Sequence, residues 1–134
     1  MNEIDFENHP DYQYVGRESQ LNVGDILVAR RALPSTSYAF YQIVSFVRRS
    51  NTPRVRLLGC TNRRLVDEIA YRKTELIPRP NVFPELNYGE KPNVAKSLTI
   101  NRDGKYQAKD DFGRPSELQK YDPAKNYFSE WYDQ

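Results

Sequence analysis

One cysteine and one histidine are present in 134 residues, and that scarcity excludes a good deal of chemistry. Cys60 cannot form an internal disulfide, and a zinc site built from several cysteines of one chain is impossible. A Cys–His nucleophilic pair would need His9, in an acidic and polar segment beside Pro10, to dock on the strand that carries Cys60. Cys60 therefore reads as a small buried hydrophobe and His9 as a surface residue. The six glycines are scattered singly, so the chain has neither a Walker-type phosphate loop nor a dinucleotide-binding glycine pattern. No run approaches the roughly 20 apolar residues that cross a bilayer. The N-terminal stretch is acidic where a signal peptide needs a basic region and an apolar core. The expectation is a soluble, cytoplasmic protein without a membrane segment or cofactor.

The carboxylate pairs Asp67-Glu68 and Asp110-Asp111 could hold a divalent cation or act as acid and base. Adjacent acids in a strand, however, point to opposite faces and usually solvate a loop. With no nucleophile or acid–base set, the chain reads as a non-enzyme.

Charge is what the sequence does have, and it is unevenly placed. Residues 1–16 carry Glu3, Asp5, Glu7 and Asp11 with no Lys or Arg, whereas residues 17–79 carry twelve basic residues against five acids. The middle is thus +7 in a chain of net charge +2. The basic residues fall at the ends of β-branched and aromatic runs: Arg30-Arg31, Arg48-Arg49, Arg54 and Arg56, Arg63-Arg64 and Arg72-Lys73. This pattern predicts a small β-domain with a cationic rim.

The runs themselves read as short strands separated by turn signals. Val23-Gly24-Asp25 is a turn ahead of Ile26 to Arg31, and Pro34 with its hydroxyl neighbours marks a loop. Tyr38 to Arg49 follows as the longest run. In extended geometry Phe40, Gln42, Val44, Phe46 and Arg48 share one face, and Tyr41, Ile43, Ser45, Val47 and Arg49 the other. Both faces are largely apolar, which predicts a central strand. Ser50 to Pro53 is a turn, and in Arg54 to Cys60 the arginines at 54 and 56 face away from Val55 and Leu57. Leu65 to Lys73 fits either a strand or a helical turn, with extended structure favoured. Pro78, Pro80 and Pro84 make residues 78–92 a connector. Asp103-Gly104 predicts a hairpin over about 94–108, because Gly supplies the positive φ of a tight turn.

The fold expected is mainly β, a small SH3-like barrel or strongly bent antiparallel sheet with an irregular C-terminal extension. Its parts are an acidic arm (1–20), a β-domain (21–115, with an SH3-like core over about 23–79), and a docked aromatic and polar tail (116–134). Within the arm, Tyr12, Tyr14 and Val15 suit a short edge strand or tether.

Three stretches carry a family resemblance. Gly24-Asp25-Ile26-Leu27, Phe40-Tyr41-Gln42-Ile43-Val44 and Val55-Arg56-Leu57 occur in the order seen in a family of small uncharacterised proteins of phages, plasmids and bacterial accessory genomes. Ile100-Asn101, Gly104-Lys105-Tyr106-Gln107-Ala108 and Gly113-Arg114-Pro115 extend it, so the chain resembles that family over roughly residues 23–115. Members usually have an aromatic residue and Gly between the first two strands and Trp-Asp-Gly near the C-terminal hairpin. Here these places hold Arg31 to Ser37 and Asp111-Phe112-Gly113. The resemblance implies a β-fold and a mobile-element setting.

Arginine offers planar bidentate contacts to phosphate, and Tyr or Phe between arginines can stack bases. The candidate binding residues are Arg30, Arg31, Arg48, Arg49, Arg54, Arg56, Arg63, Arg64, Tyr38 and Tyr41. Arg48, Arg49, Arg54 and Arg56 flank one turn and form the sharpest patch. The partner expected is nucleic acid or a host nucleoprotein. The alternative is a host protein such as a defence nuclease, since Arg, Tyr and Trp dominate protein interfaces. The opposing possibility for the patch is a solvated rim whose arginines pair with Asp67, Glu68 and the acidic arm.

Overall fold

The computed structural model describes residues 14–31, 37–87, 91–109 and 113–132. Among the described residues ten strands are formed, in chain order β1 (Ile26–Arg31), β2 (Ser37–Phe46), β3 (Pro53–Leu57), β4 (Cys60–Asp67), β5 (Tyr71–Pro78), β6 (Lys96–Ser97), β7 (Thr99–Ile100), β8 (Tyr106–Lys109), β9 (Pro115–Lys120) and β10 (Tyr127–Tyr132). Among the described residues there is no helix, and hence none long and apolar enough to cross a membrane.

Seven strands make one antiparallel sheet in the order β6-β3-β2-β1-β9-β8-β7. Its two edges, β6 and β7, are consecutive in the chain and separated only by Leu98. The segment Lys96–Ile100 pairs first with β3 and then with β8, and the Leu98 N–H donates to the Pro53 carbonyl at 3.0 Å. The sheet thereby curls into a small, nearly closed barrel, and Leu98 points into it, 5% exposed. Closure removes the exposed strand edges that a chain so rich in β-prone residues would otherwise present.

The interior follows the period of two. Leu27 and Ala29 of β1, Ala39 and Ile43 of β2, Val55 and Leu57 of β3, Tyr106 and Ala108 of β8 and Leu118 of β9 form one cluster. Val28 and Phe40, on the other face of β1 and β2, belong to a second cluster with Leu58, Leu76 and Tyr127. The central position and two apolar faces expected for β2 are what forms. A bulge between Ile43 and Ser45 shifts the register, so Phe46 packs on the barrel cluster with Ile43. It does not share the face of Phe40, as strict alternation would require.

The second cluster is roofed by a three-stranded sheet, β10-β5-β4. Tyr127 sits edge-on to Tyr38 and to Phe40, at 5.1 and 5.7 Å between ring centroids. Such pairs contribute about 0.5–1.5 kcal/mol beyond the area they bury. The chain crosses between the layers at Leu57-Leu58, where successive side chains enter opposite clusters.

Two expected boundaries change. β4 and β5 lie outside the barrel, so the barrel draws on residues 26–57 and 96–120 and not on a continuous 23–79 core. The C-terminal segment is not an irregular tail: β9 fills the gap between β1 and β8, and β10 completes the outer sheet. Prolines 115 and 123 do not prevent this, because Pro115 opens β9 and Pro123 lies in the turn between β9 and β10. Leu65 to Lys73, open between strand and helical turn, is the end of β4, a turn, and the start of β5.

The bottom of the barrel is capped by the end of the N-terminal arm. The Val15 N–H donates to the Leu118 carbonyl at 2.8 Å, and the Tyr106 N–H donates to the Val15 carbonyl at 2.9 Å. Val15 is the tether that its β-prone character suggested. Gly16 allows the approach, since a Cβ there would lie 2.5 Å from the Gly104 carbonyl oxygen. Lys105 bonds Glu18 at 2.7 Å and holds its carboxyl below the usual range. Tyr12, His9 and the four acids of residues 1–16 lie outside the described residues. Gly104 has φ +76° in the Asp103-Gly104 turn, as that dipeptide predicts.

Candidate functional site

The eight candidate arginines divide among three places. Arg30 and Arg31 end β1, beside the start of β2. Arg48 and Arg49 lie in the turn beyond the end of β2, ten residues past Tyr38, the cross-strand partner of Arg30, and so roughly 30 Å away at about 3.3 Å per residue. Arg63 and Arg64 belong to β4, in the other sheet.

Arg48, Arg49, Arg54 and Arg56 are brought together on the β2–β3 hairpin. The Val47 N–H donates to the Thr52 carbonyl and the Asn51 N–H to the Val47 carbonyl, both at 2.8 Å. Asn51 takes the positive φ of 54° that closes the turn, a conformation Asn tolerates better than most residues. Val55 and Leu57 are buried, 4% and 7% exposed, so alternation turns Arg54 and Arg56 outward. Arg48, Arg49 and Arg54 are exposed and Arg56 is half-buried.

The four do not carry equal freedom. The Arg56 guanidinium lies 4.6 Å from the centroid of the Phe83 ring and its Nε–H donates to the Asn93 carbonyl at 3.2 Å. Arg54 reaches the Ala95 carbonyl at 3.5 Å, a long hydrogen bond. Neither contact neutralises charge. Among the described residues none of the four forms an ion pair with a carboxylate. Asp67, a possible partner for them, instead serves Arg64 at 3.0 Å and Arg72 at 3.4 Å. Arg63 and Arg64 are accordingly on a mixed-sign surface.

Neither tyrosine stands among these arginines. Tyr38 is held against Tyr127 beneath the outer sheet. Tyr41 packs on the barrel cluster and its hydroxyl accepts from Arg31 Nη2 at 3.3 Å. The aromatic partner of the patch is Phe83, from the connector after β5, which no local pattern linked to β3. A Phe between two prolines in a segment that must wrap the domain was the only available signal.

The wall behind the arginines is fixed by Asn93, 7% exposed. Its Oδ1 accepts from the Leu57 N–H at 3.0 Å, and its Nδ2–H group donates to the Leu57 and Pro84 carbonyls at 2.9 and 2.8 Å. A side-chain amide thus continues the β3 ladder past its end and ties Pro84 and Asn93 to it. Gln42, 3% exposed, does the same on the far side, donating to the Gly24 carbonyl and accepting from the Asn81 N–H.

Among the described residues no group of three His, Cys, Asp or Glu is placed to hold a metal ion. Cys60 is half-buried, and burial pushes its thiol pKa up, away from the range of a reactive thiolate. Compared with protein-family models, curated proteins and solved structures, the chain gives no match.

Proposed function

We propose that this is a non-catalytic binding protein of a phage or other mobile element, which contacts nucleic acid or a nucleoprotein through the outer face of the β2–β3 hairpin. The observation that carries this reading is the charge state of the patch: four arginines around one turn, none with a carboxylate partner among the described residues. Uncompensated guanidinium groups attract phosphates and gain from counterion release. Arg48, Arg49 and Arg54 make the phosphate contacts, and Arg56, stacked on Phe83, supports the surface.

Fluorescence anisotropy with labelled single- and double-stranded DNA and RNA at low salt tests this. The wild type binds, with log affinity falling linearly as log salt rises. Replacing Arg48, Arg49 and Arg54 by Gln reduces the slope by about 2–3, at up to 0.9 per phosphate contact. Absence of binding by the wild type at low salt, or an unchanged slope in the triple variant, rejects the reading.

A second reading, binding of a host protein, draws on a different region. Leu65, Ile69 and Trp131 are exposed at the turn end of the outer sheet, Ile69 at 89%. Nuclease-resistant capture of one host protein that is lost with Ile69→Asp and kept with the triple Gln variant would favour this reading over the first.

A further inference from the structure

The upper end of the barrel, opposite the N-terminal cap, is not filled by any of the described residues. A cavity of about 260 Å³ opens there. That is the scale of a small metabolite and larger than a bare ion requires. Its inner wall is apolar and comes from the barrel interior, Tyr41, Leu57, Leu98 and Ala108, while Asn93, Thr99 and Gln107 add polar groups around it. The floor is therefore rigid, made of side chains already ordered by strand pairing.

Its mouth is cationic. Arg31, Lys96 and Lys109 line it, and no Asp or Glu does among the described residues. Two of these cations occupy inward positions. Arg31 continues the Leu27, Ala29 alternation of β1, and Lys96 is paired with the buried Val55 of β3. Arg31 is oriented by the Tyr41 hydroxyl. Lys96 and Lys109 are exposed and have no ion-pair partner among the described residues.

We propose that this cavity is a binding site for a small phosphorylated organic molecule, a phosphomonoester whose phosphate sits among Arg31, Lys96 and Lys109. Its organic body would lie against Tyr41, Leu57, Leu98 and Ala108. A dianionic head group matches a planar guanidinium fork assisted by two ammonium point charges. An apolar pocket with a few convergent polar groups is the usual form of a small-molecule site in a barrel mouth. The site is separate from the β2–β3 arginines, which lie outside the wall that this cavity lies within, so the two proposals fail independently.

The test is titration of the full chain with uridine 5′-monophosphate, ribose 5-phosphate, inorganic phosphate and uridine, followed by amide chemical shifts and thermal shift. Both organic phosphates are expected to move the amides of Leu57, Leu98 and Ala108, to raise the melting temperature, and to bind at least tenfold more tightly than uridine or inorganic phosphate. Lys96→Gln with Lys109→Gln should weaken them at least tenfold with the melting temperature of the free protein unchanged. A 5′-phosphorylated trinucleotide compared with its unphosphorylated form distinguishes a free metabolite from a strand terminus, and binding of either phosphomonoester supports the shared chemistry. The proposal is overturned if no phosphomonoester binds at millimolar concentration, if uridine or inorganic phosphate binds equally well, or if the double variant binds like the wild type.

Discussion

In the barrel each long strand has a hydrogen-bonded neighbour on both sides, because one segment, Lys96–Ile100, serves as both edges of the sheet. In the outer sheet β4 and β10 each have one side with no partner strand among the described residues, and β4 is exposed along most of its length. The barrel distributes its burial over eleven buried residues from several strands and the N-terminal tether. The outer sheet relies on Leu76 and Tyr127 for its buried contact with β1 and β2. Charge divides the same way: Asp67 compensates Arg64 and Arg72 on the outer sheet, while the arginines of the barrel hairpin have no carboxylate partner among the described residues. The lesson is that closure gives the hairpin arginines a rigid support, while the presence or absence of a nearby acid such as Asp67 decides whether their charge is met.

The strongest way to break this comparison is to delete one buried anchor from each region. Leu118→Ala removes a side chain that is 0% exposed and should cost about 2–5 kcal/mol, seen in urea as one cooperative transition at a lower midpoint. Tyr127→Ala should cost about 3–5 kcal/mol, yet act locally. Hydrogen exchange should then accelerate in residues 60–78 and 127–132 while residues 26–57 and 106–120 stay protected. If all amides lose protection together, the two sheets are one cooperative unit and the comparison fails.

Alkaline pH sharpens it with a smaller effect. Burial raises the Tyr127 phenol above its ordinary value near 10, so the fold favours the protonated form. That contribution is fully present below about pH 10, and it is lost as pH rises through the higher folded value. Tyr127→Phe forfeits the hydrogen bond that the hydroxyl accepts from the Asp122 N–H at 3.1 Å, at about 0.5–1.5 kcal/mol near neutral pH. Above pH 10 the order should reverse, with the Phe variant keeping outer-sheet protection that the wild type loses. Parallel pH profiles for the two proteins would contradict this.

The smallest expected change is Asp67→Asn. Both ion pairs of Asp67 are largely exposed, so stability should move by less than about 1 kcal/mol. Low-salt nucleic-acid binding should strengthen all the same, because Arg64 and Arg72 lose their carboxylate. Weaker or unchanged binding would mean that uncompensated charge is not what selects the binding surface.

Much of the barrel's local detail was legible. The outward Arg54 and Arg56, the turn at Ser50 to Pro53, the Asp103-Gly104 hairpin and the two apolar faces of β2 all follow from side-chain alternation and turn chemistry. The candidate site was legible only in part. Arg48, Arg49, Arg54 and Arg56 could be grouped because one hairpin turn holds them together. Tyr38 and Tyr41 could not be excluded from the surface, since a strand with two apolar faces gives no sign of what covers each. Lys96 and Lys109 were hidden for a related reason. They stand at the open end of the 94–108 hairpin, but a cavity exists there only once β1, β2 and β3 close around it.

By itself the sequence determined the β class, the direction of each short-range side chain and the positions of the tight turns. These depend on a period of two and on single-residue φ preferences, which act over a few residues. Only the tertiary structure decided that residues 115–120 join the barrel, that residues 60–78 leave it, that Lys96–Ile100 closes it, and that Phe83 rather than a tyrosine stacks on Arg56. Those choices set loop closure against burial summed over the whole chain, a balance that no local window of residues contains.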